Sequence, residues 1–223
     1  MSKALVIFSG GQDSTTCLGY AKKKYDEVVA ISFKYGQKHS VELEQARKIA
    51  KKLNIELHEI DISFFGQLVD SALTHNGNVN QNHNTNKNLP ASWVPNRNAL
   101  FITISHAFAQ KIGADVLVTG VCDSDYSGYP DCRREFIESI QKTLSLASET
   151  NIKIDTPLMK LSKAETFKLA EDCDILDIVV NDSHTCYNGD REHKHEWGYG
   201  CGDCPSCRLR EKGYNEFKEK KGK

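Results

Sequence analysis

The sequence has no hydrophobic run near the roughly 20 residues that span a bilayer. The apolar stretch in its opening, MSKALVIFSGG, is too short for a leader and has no charged region ahead of it. These absences set the expectation of a cytoplasmic protein with no membrane partner. A dominant charge is missing too. With 29 Lys and Arg against 30 Asp and Glu, the formal net charge is −1, so nothing general attracts a nucleic-acid backbone and no nucleic-acid partner is expected. No internal repeat is visible. At 223 residues, 39% hydrophobic and 26% charged, the chain is long enough to bury one sizeable core and carry a small appendage.

Short apolar runs alternate with helical patterns, the signature of a parallel sheet covered on both faces. Strands are predicted at 4–8, 27–33, 56–62 and 115–119, with a weaker one at 152–155. Ala46, Ile49, Ala50 and Leu53 recur at i, i+3, i+4 and i+7 and should form one apolar helix face. Leu100, Ile104, Ala107 and Phe108 make a similar face within 98–112. Ser162 and Glu165 have capping-box spacing, so a helix should start there and run toward Cys173. The asparagine-rich stretch 75–90 shows no periodicity; it reads as a mobile surface loop, with an active-site lid as the alternative.

The turn FSGGQDSTTC follows the first predicted strand, at the edge where open α/β sheets bind ligands. Gly10 and Gly11 leave no side chain in the way of an anion, and Ser9, Ser14, Thr15 and Thr16 supply hydroxyls. Yet the lysine of the usual triphosphate loop is missing. Asp13 would repel bare phosphate, which makes sense if Mg2+ sits between them.

Eight cysteines in a long chain without a leader argue against a disulfide scaffold. Cys186 stands upstream of Cys201, Cys204 and Cys207, two C-x2-C steps sharing the middle cysteine. Four converging thiolates meet the demand of structural Zn2+, one per chain, with an iron-sulfur cluster as competitor. Pro205 suggests that a helix begins at the cluster. His193 and His195, in the polar stretch EHKHEWGYG, are expected to face solvent. Cys17 and Cys173 should pack as small hydrophobes.

A further segment, GVCDSDYSGYPDCRREF, follows the fourth strand and brings acids, aromatics and arginines to the same sheet edge. That mixture suits a planar, polar ligand carrying a carboxylate: tyrosine covers a ring face, aspartate accepts from an amidine-like edge and arginine forks to a carboxylate.

The SGGQDS stretch resembles the signature of the PP-loop ATP pyrophosphatases, whose loop holds pyrophosphate rather than a transferable terminal phosphate. SGGQDSTT, VPNRN, DYSGYPDCR, IDTPLMKLSKAE and the terminal CGDCPSC occur in the order found in the 7-cyano-7-deazaguanine synthase family, over residues 8–207. The resemblance implies an α/β fold, an open parallel sheet with helices on both faces of the PP-loop, adenine nucleotide alpha hydrolase-like type. A PP-loop domain would span 1–180, with a small zinc-binding subdomain packed on it over 181–223. It also implies a ligase that converts 7-carboxy-7-deazaguanine and ammonia to a nitrile in queuosine biosynthesis. Two ATP would go to two AMP and two pyrophosphates. Another PP-loop adenylating enzyme, such as a tRNA thiolation enzyme, is the alternative.

By the same resemblance, ATP should be bound by Phe8, Ser9, Gly10, Gly11, Gln12, Asp13, Ser14, Thr15, Thr16, Cys17 and Leu18, with adenine near 32–35. Asp13 and Lys163 would serve catalysis or stabilise phosphate, Lys163 supplying the charge the loop lacks. Arg97, Asp125, Tyr129, Asp131 and Arg133 are the candidates for the deazapurine, and Cys186, Cys201, Cys204 and Cys207 for the metal. A homodimer is allowed. The 14 residues between Cys186 and Cys201 form a longer spacer than the family leads one to expect.

Overall fold

The computed structural model describes residues 1–123 and 128–222. Five parallel strands form one sheet: β1 (Lys3–Ile7), β2 (Glu27–Lys34), β3 (Glu56–Asp61), β4 (Val116–Val118) and β5 (Lys153–Asp155), in the spatial order β3-β2-β1-β4-β5. All five predicted strands are present, within about a residue or two of their expected ends. Both faces of the sheet are covered, which is why its central strands read as continuous apolar runs. Along β1, Ala4 and Val6 enter one core, and Leu5 enters the other.

The first core is closed by α1 (Gln12–Lys24), α2 (Val41–Leu53), α6 (Lys163–Asp172), α7 (Leu176–Asn181) and α8 (Pro205–Lys221). The second is closed by α4 (Arg97–Ile112) and α5 (Arg134–Ser148), with the short α3 (Phe64–Leu68) near its edge. The α2 face falls as expected, with Ala46, Ile49 and Ala50 buried. The α4 face is rotated from its expected position: Ile102, Ser105, His106 and Ala109 are the buried residues, while Ala107 is exposed. Leu100, Ile104 and Phe108 are only partly buried and pack along the core's margin. Serine and histidine on the inward side broke the hydrophobic period from which that face was read.

The capping box at α6 is complete: the Ser162 hydroxyl accepts from the Glu165 amide, and the Glu165 carboxylate accepts from the Ser162 amide at 2.8 Å. Near the C terminus, β6 (Lys194–His195) and β7 (Gly198–Tyr199) make a small antiparallel hairpin. Then α8 packs against α6, and its Phe217 stacks over Phe167 in the first core. Gly213 permits this approach, since a Cβ there would lie 3.0 Å from the Lys163 carbonyl carbon. The asparagine-rich stretch carries no helix, but Val79, His83 and Leu89 are buried and His83 bonds the Asp70 carbonyl at 2.6 Å. Val79 packs with the four-cysteine cluster. Among the described residues no helix is long and apolar enough to cross a membrane.

Candidate active site and metal centre

The strand order reverses between β1 and β4, and the segments leaving their carboxyl ends diverge there, which opens a crevice. The crevice holds about 1230 Å3 of empty space, counting the part open to solvent, and the phosphate loop forms one wall. Gly10 has φ +87°, and a Cβ on it would lie 2.7 Å from the Ala46 amide nitrogen, so only glycine fits beneath α2. Gly11 caps α1 without a side-chain hydrogen bond, so the first-turn amides of a 13-residue helix open onto the crevice. Such a terminus favours an anion.

The hydroxyls of Ser9 and Ser14 stand 3.2 Å apart beside this terminus. Lys163, first residue of α6, reaches across so that its ammonium lies 2.7 Å from Asp13 Oδ2. A cation from 150 residues downstream therefore stands beside the loop. Asp13 Oδ1 and Gln12 Nε2 are buried with no hydrogen-bond partner among the described residues, a donor and an acceptor that a bound group would satisfy.

Not every expected ATP residue reaches the crevice. Phe8, Cys17 and Leu18 are fully buried in the first core, because the carboxyl end of β1 and the inner face of α1 must close over the sheet. Thr15 and Thr16 are fully buried and turn their hydroxyls back to the Gly11 and Gln12 carbonyls at 2.7 and 3.0 Å. These five do not line the crevice, and neither does Gly10, which is buried beneath α2.

The opposite wall carries Tyr35, Arg97, Asn98, Phe101 and Tyr129, and Glu42 lines the crevice from beside the loop. Arg97 opens α4 directly after Asn96, which sits at φ +59°, and its guanidinium lies 5.8 Å from the Tyr35 ring centre. Burial opposes the Arg97 charge, but Tyr35, Tyr129 and Asp131 outweigh it and hold the pKa above its ordinary value. The Tyr129 hydroxyl is 2.8 Å from that of Ser92.

Two of the expected substrate residues are placed differently. Asp131 is buried and accepts the Asn98 amide at 3.0 Å, capping the start of α4; it steadies Arg97 from behind rather than lining the crevice. Its Oδ1 is buried with no hydrogen-bond partner among the described residues. Arg133 precedes α5 with its side chain half exposed, 3.8 Å from Glu135, because that helix starts at the protein surface. Asp125 and its neighbour Tyr126 lie outside the described residues.

Sequence reasoning missed Glu42 and Arg210. Arg210 is 1% exposed, yet it borders the crevice, and among the described residues it has no carboxylate partner in hydrogen-bond range. It donates to the carbonyls of Trp197 at 2.9 Å and Val179 at 2.7 Å, and to the Thr185 hydroxyl at 3.2 Å. The available signal was an arginine among Cys207, Gly213 and Phe217, the buried face of α8. Desolvation lowers its pKa to about 10, still charged at neutral pH.

Behind Arg210, the sulfurs of Cys186, Cys201, Cys204 and Cys207 all lie within 4.8 Å of one another. Four sulfurs about 2.3 Å from one tetrahedral ion stand about 3.8 Å apart, so the set fits a single ion. Pro205 opens α8 with Cys204 as its N-cap, which aims Cys204 and Cys207 at one point. The long spacer is not a simple excursion. Trp197 is buried and stacks on His195 at 4.4 Å, and the His195 Nε2 meets the Gly200 carbonyl at 2.9 Å. Only His193 is solvent-facing as expected, paired with Asp190. The spacer folds back because Arg191 bonds the Ser183 and Asn181 carbonyls. Cys17 and Cys173 are core residues, as their helical positions suggested.

The four-cysteine cluster and the glycine-rich loop share a wall: the His184 amide donates to the Gly10 carbonyl at 2.9 Å, two residues from Cys186. A five-stranded parallel sheet with a glycine-rich loop at its switch point and a four-cysteine cluster beside it is a PP-loop-type fold. Solved structures agree on the fold. A 4-thiouridine synthetase in complex with RNA and ATP superposes with a TM-score of 0.51, at 17% identity, covering 96% of this chain and 53% of that one. A predicted subunit of a tRNA methyltransferase from Methanocaldococcus jannaschii gives 0.50 at 20% identity, covering 77% and 75%.

The sequence narrows the class further. The family model of queuosine biosynthesis protein QueC matches residues 3–218, and the chain belongs to that family. It is 54% identical to a 7-cyano-7-deazaguanine synthase of Wolinella succinogenes over 97% of this chain and 94% of that one. A synthase of the same description from Clostridium botulinum is 48% identical over 97% and 96%.

Proposed function

We propose that this chain is a 7-cyano-7-deazaguanine synthase that converts 7-carboxy-7-deazaguanine and ammonia to the nitrile, with two ATP cleaved to AMP and pyrophosphate. The observation that carries this reading is the pairing of walls. One offers an uncapped helix terminus, paired hydroxyls and the Lys163 ammonium to pyrophosphate. The other offers Arg97, beside the Tyr35 ring, to a planar acid. Neither a carboxylate oxygen nor an amide oxygen leaves unaided, so each is first made an adenylate. Ser9, Gly10, Gly11 and Ser14 would hold the pyrophosphate, and Asp13 would hold Mg2+ through its unpartnered oxygen.

The four thiolates would hold one Zn2+, whose role with four protein ligands is structural. Their closeness favours a single ion, because a four-iron cluster binds each cysteine through a different iron and spreads the sulfurs. Metal analysis should find one zinc per chain in colourless protein; brown protein containing iron would reverse this assignment.

The activity is tested in one incubation of the protein with ATP, Mg2+, ammonium and 7-carboxy-7-deazaguanine. AMP, pyrophosphate and the nitrile should appear together. ADP and phosphate would contradict the phosphate-loop assignment.

A further inference from the structure

The first turn of α2 runs along the phosphate loop, with the Glu42 carbonyl packed against Gly10. From there the Glu42 side chain lines the crevice with Tyr35 and Arg97. Among the described residues its carboxyl makes no hydrogen bond or ion pair. We propose that Glu42 is the proton acceptor for the steps in which nitrogen enters and is stripped of hydrogen. The proposal rests on the nitrile-forming reaction set out above.

The chemistry requires such a group. Between ammonium and a nitrile nitrogen, four N–H protons must leave. In the first step the Glu42 carboxylate takes a proton from ammonium. The freed nitrogen pair bonds to the acyl carbon of the carboxyl adenylate, the carbon–oxygen bond to AMP breaks with its electron pair on AMP, and a second N–H proton leaves as the amide forms. The amide oxygen then displaces pyrophosphate from the second ATP. A third N–H proton leaves to give the O-adenylated imidate, and the last leaves as the carbon–oxygen bond breaks, AMP departs and the triple bond closes. Adenylation of the carboxylate, by contrast, removes no N–H proton.

The other groups around the crevice are poorly suited to this work. Asp13 is engaged by Lys163 at 2.7 Å. Burial pushes the Tyr35 and Tyr129 phenols above their ordinary values, so both stay protonated near neutrality. Arg97 and Arg210 remain cationic. The Cys122 thiol donates to the Leu161 carbonyl at 3.2 Å, and the Cys132 sulfur accepts from the Asn98 side chain at 3.2 Å. Burial raises the Glu42 carboxyl from 4.5 to about 7, with Arg97 pulling the other way. A base poised there both accepts and passes on protons at working pH.

The test compares wild type, Glu42→Gln and Glu42→Asp as full chains with Mg2+. Glu42→Gln should keep carboxylate-dependent exchange of pyrophosphate into ATP within about threefold, yet lose about 100-fold or more of nitrile formation, the range of general-base catalysis. Glu42→Asp should recover part of that loss. Wild-type kcat/KM for ammonium should carry an ionisation near pH 7 that is absent from Glu42→Gln. Equal losses of exchange and nitrile formation, or an unchanged pH profile, would overturn the proposal. Failure of wild type to exchange pyrophosphate would instead sink the proposed activity.

A second measurement needs no turnover. The folded pKa lies above the unfolded one, so the native state binds more protons between about pH 4.5 and 7. The melting temperature of wild type should therefore fall relative to Glu42→Gln across that window. A constant difference would remove Glu42 as a titrating group.

Discussion

The two walls of the crevice are built in opposite ways. The loop wall is mostly one continuous piece, a strand end, a turn and a helix terminus that contributes Ile7, Ser9 and residues 11–14, completed by Lys163 from α6. The facing wall takes Tyr35 from the end of β2, Arg97 from α4 and Tyr129 from the segment after β4, while Glu42 of α2 lines the crevice from beside the loop. A contiguous site is held by local backbone geometry, whereas a dispersed one depends on the packing of every element that contributes to it.

The largest effect should come from the module behind the loop wall. Cys204→Ser, or verified metal removal, leaves buried thiolates unbalanced beside the His184 bond to Gly10. Zinc binding contributes about 10 to 16 kcal/mol in small finger peptides, so thermal stability should drop steeply and pyrophosphate exchange should be lost with it. If exchange persists after metal loss, the loop stands on its own.

Next comes the charge on the loop wall. Lys163→Ala should lower pyrophosphate release by about 100- to 1000-fold, as removal of a preorganised electrostatic group does. Normal ATP turnover in that variant would leave Lys163 as a structural partner of Asp13. Gly10→Ala probes geometry instead of charge. A Cβ at φ +87° and 2.7 Å from the Ala46 nitrogen should cost about 1 to 3 kcal/mol, read as a lower denaturation midpoint. The smallest effect is expected on the far side. Arg133→Ala should change stability by less than about 0.5 kcal/mol, since the residue is solvated. A clear rise in substrate KM would show that Arg133 turns inward when ligand binds.

The glycine-rich loop at the sheet edge and the convergence of the four cysteines were legible because their residues sit at spacings that a single turn fixes. SGGQDS lies between an apolar run and a helix, and Cys204 and Cys207 share the first turn of α8. Lys163 was legible through the resemblance, although no local pattern says that it meets Asp13. The facing wall was read less well. Asp131 and Arg133 stand close together in sequence, yet one caps α4 from within and the other meets water. Glu42 lies in a helix whose charged residues otherwise look like an ordinary solvated face. The asparagine-rich stretch gave no sign that Val79 and His83 would be buried.

The sequence by itself determined the alternation that makes a parallel sheet, the turn that exposes a helix terminus, and the four thiolates. Each follows from the steric and hydrogen-bonding demands of residues a few positions apart. Only the tertiary structure decided which charges meet. Lys163 finds Asp13 because α6 packs beside α1, and Arg210 is sealed between carbonyls because α8 returns to cover α6 and α7. Among the described residues Glu42 is left without a hydrogen bond or ion pair in a crevice because other elements fold around it. Burial changes the cost of a charge, and it is settled only when distant segments have packed.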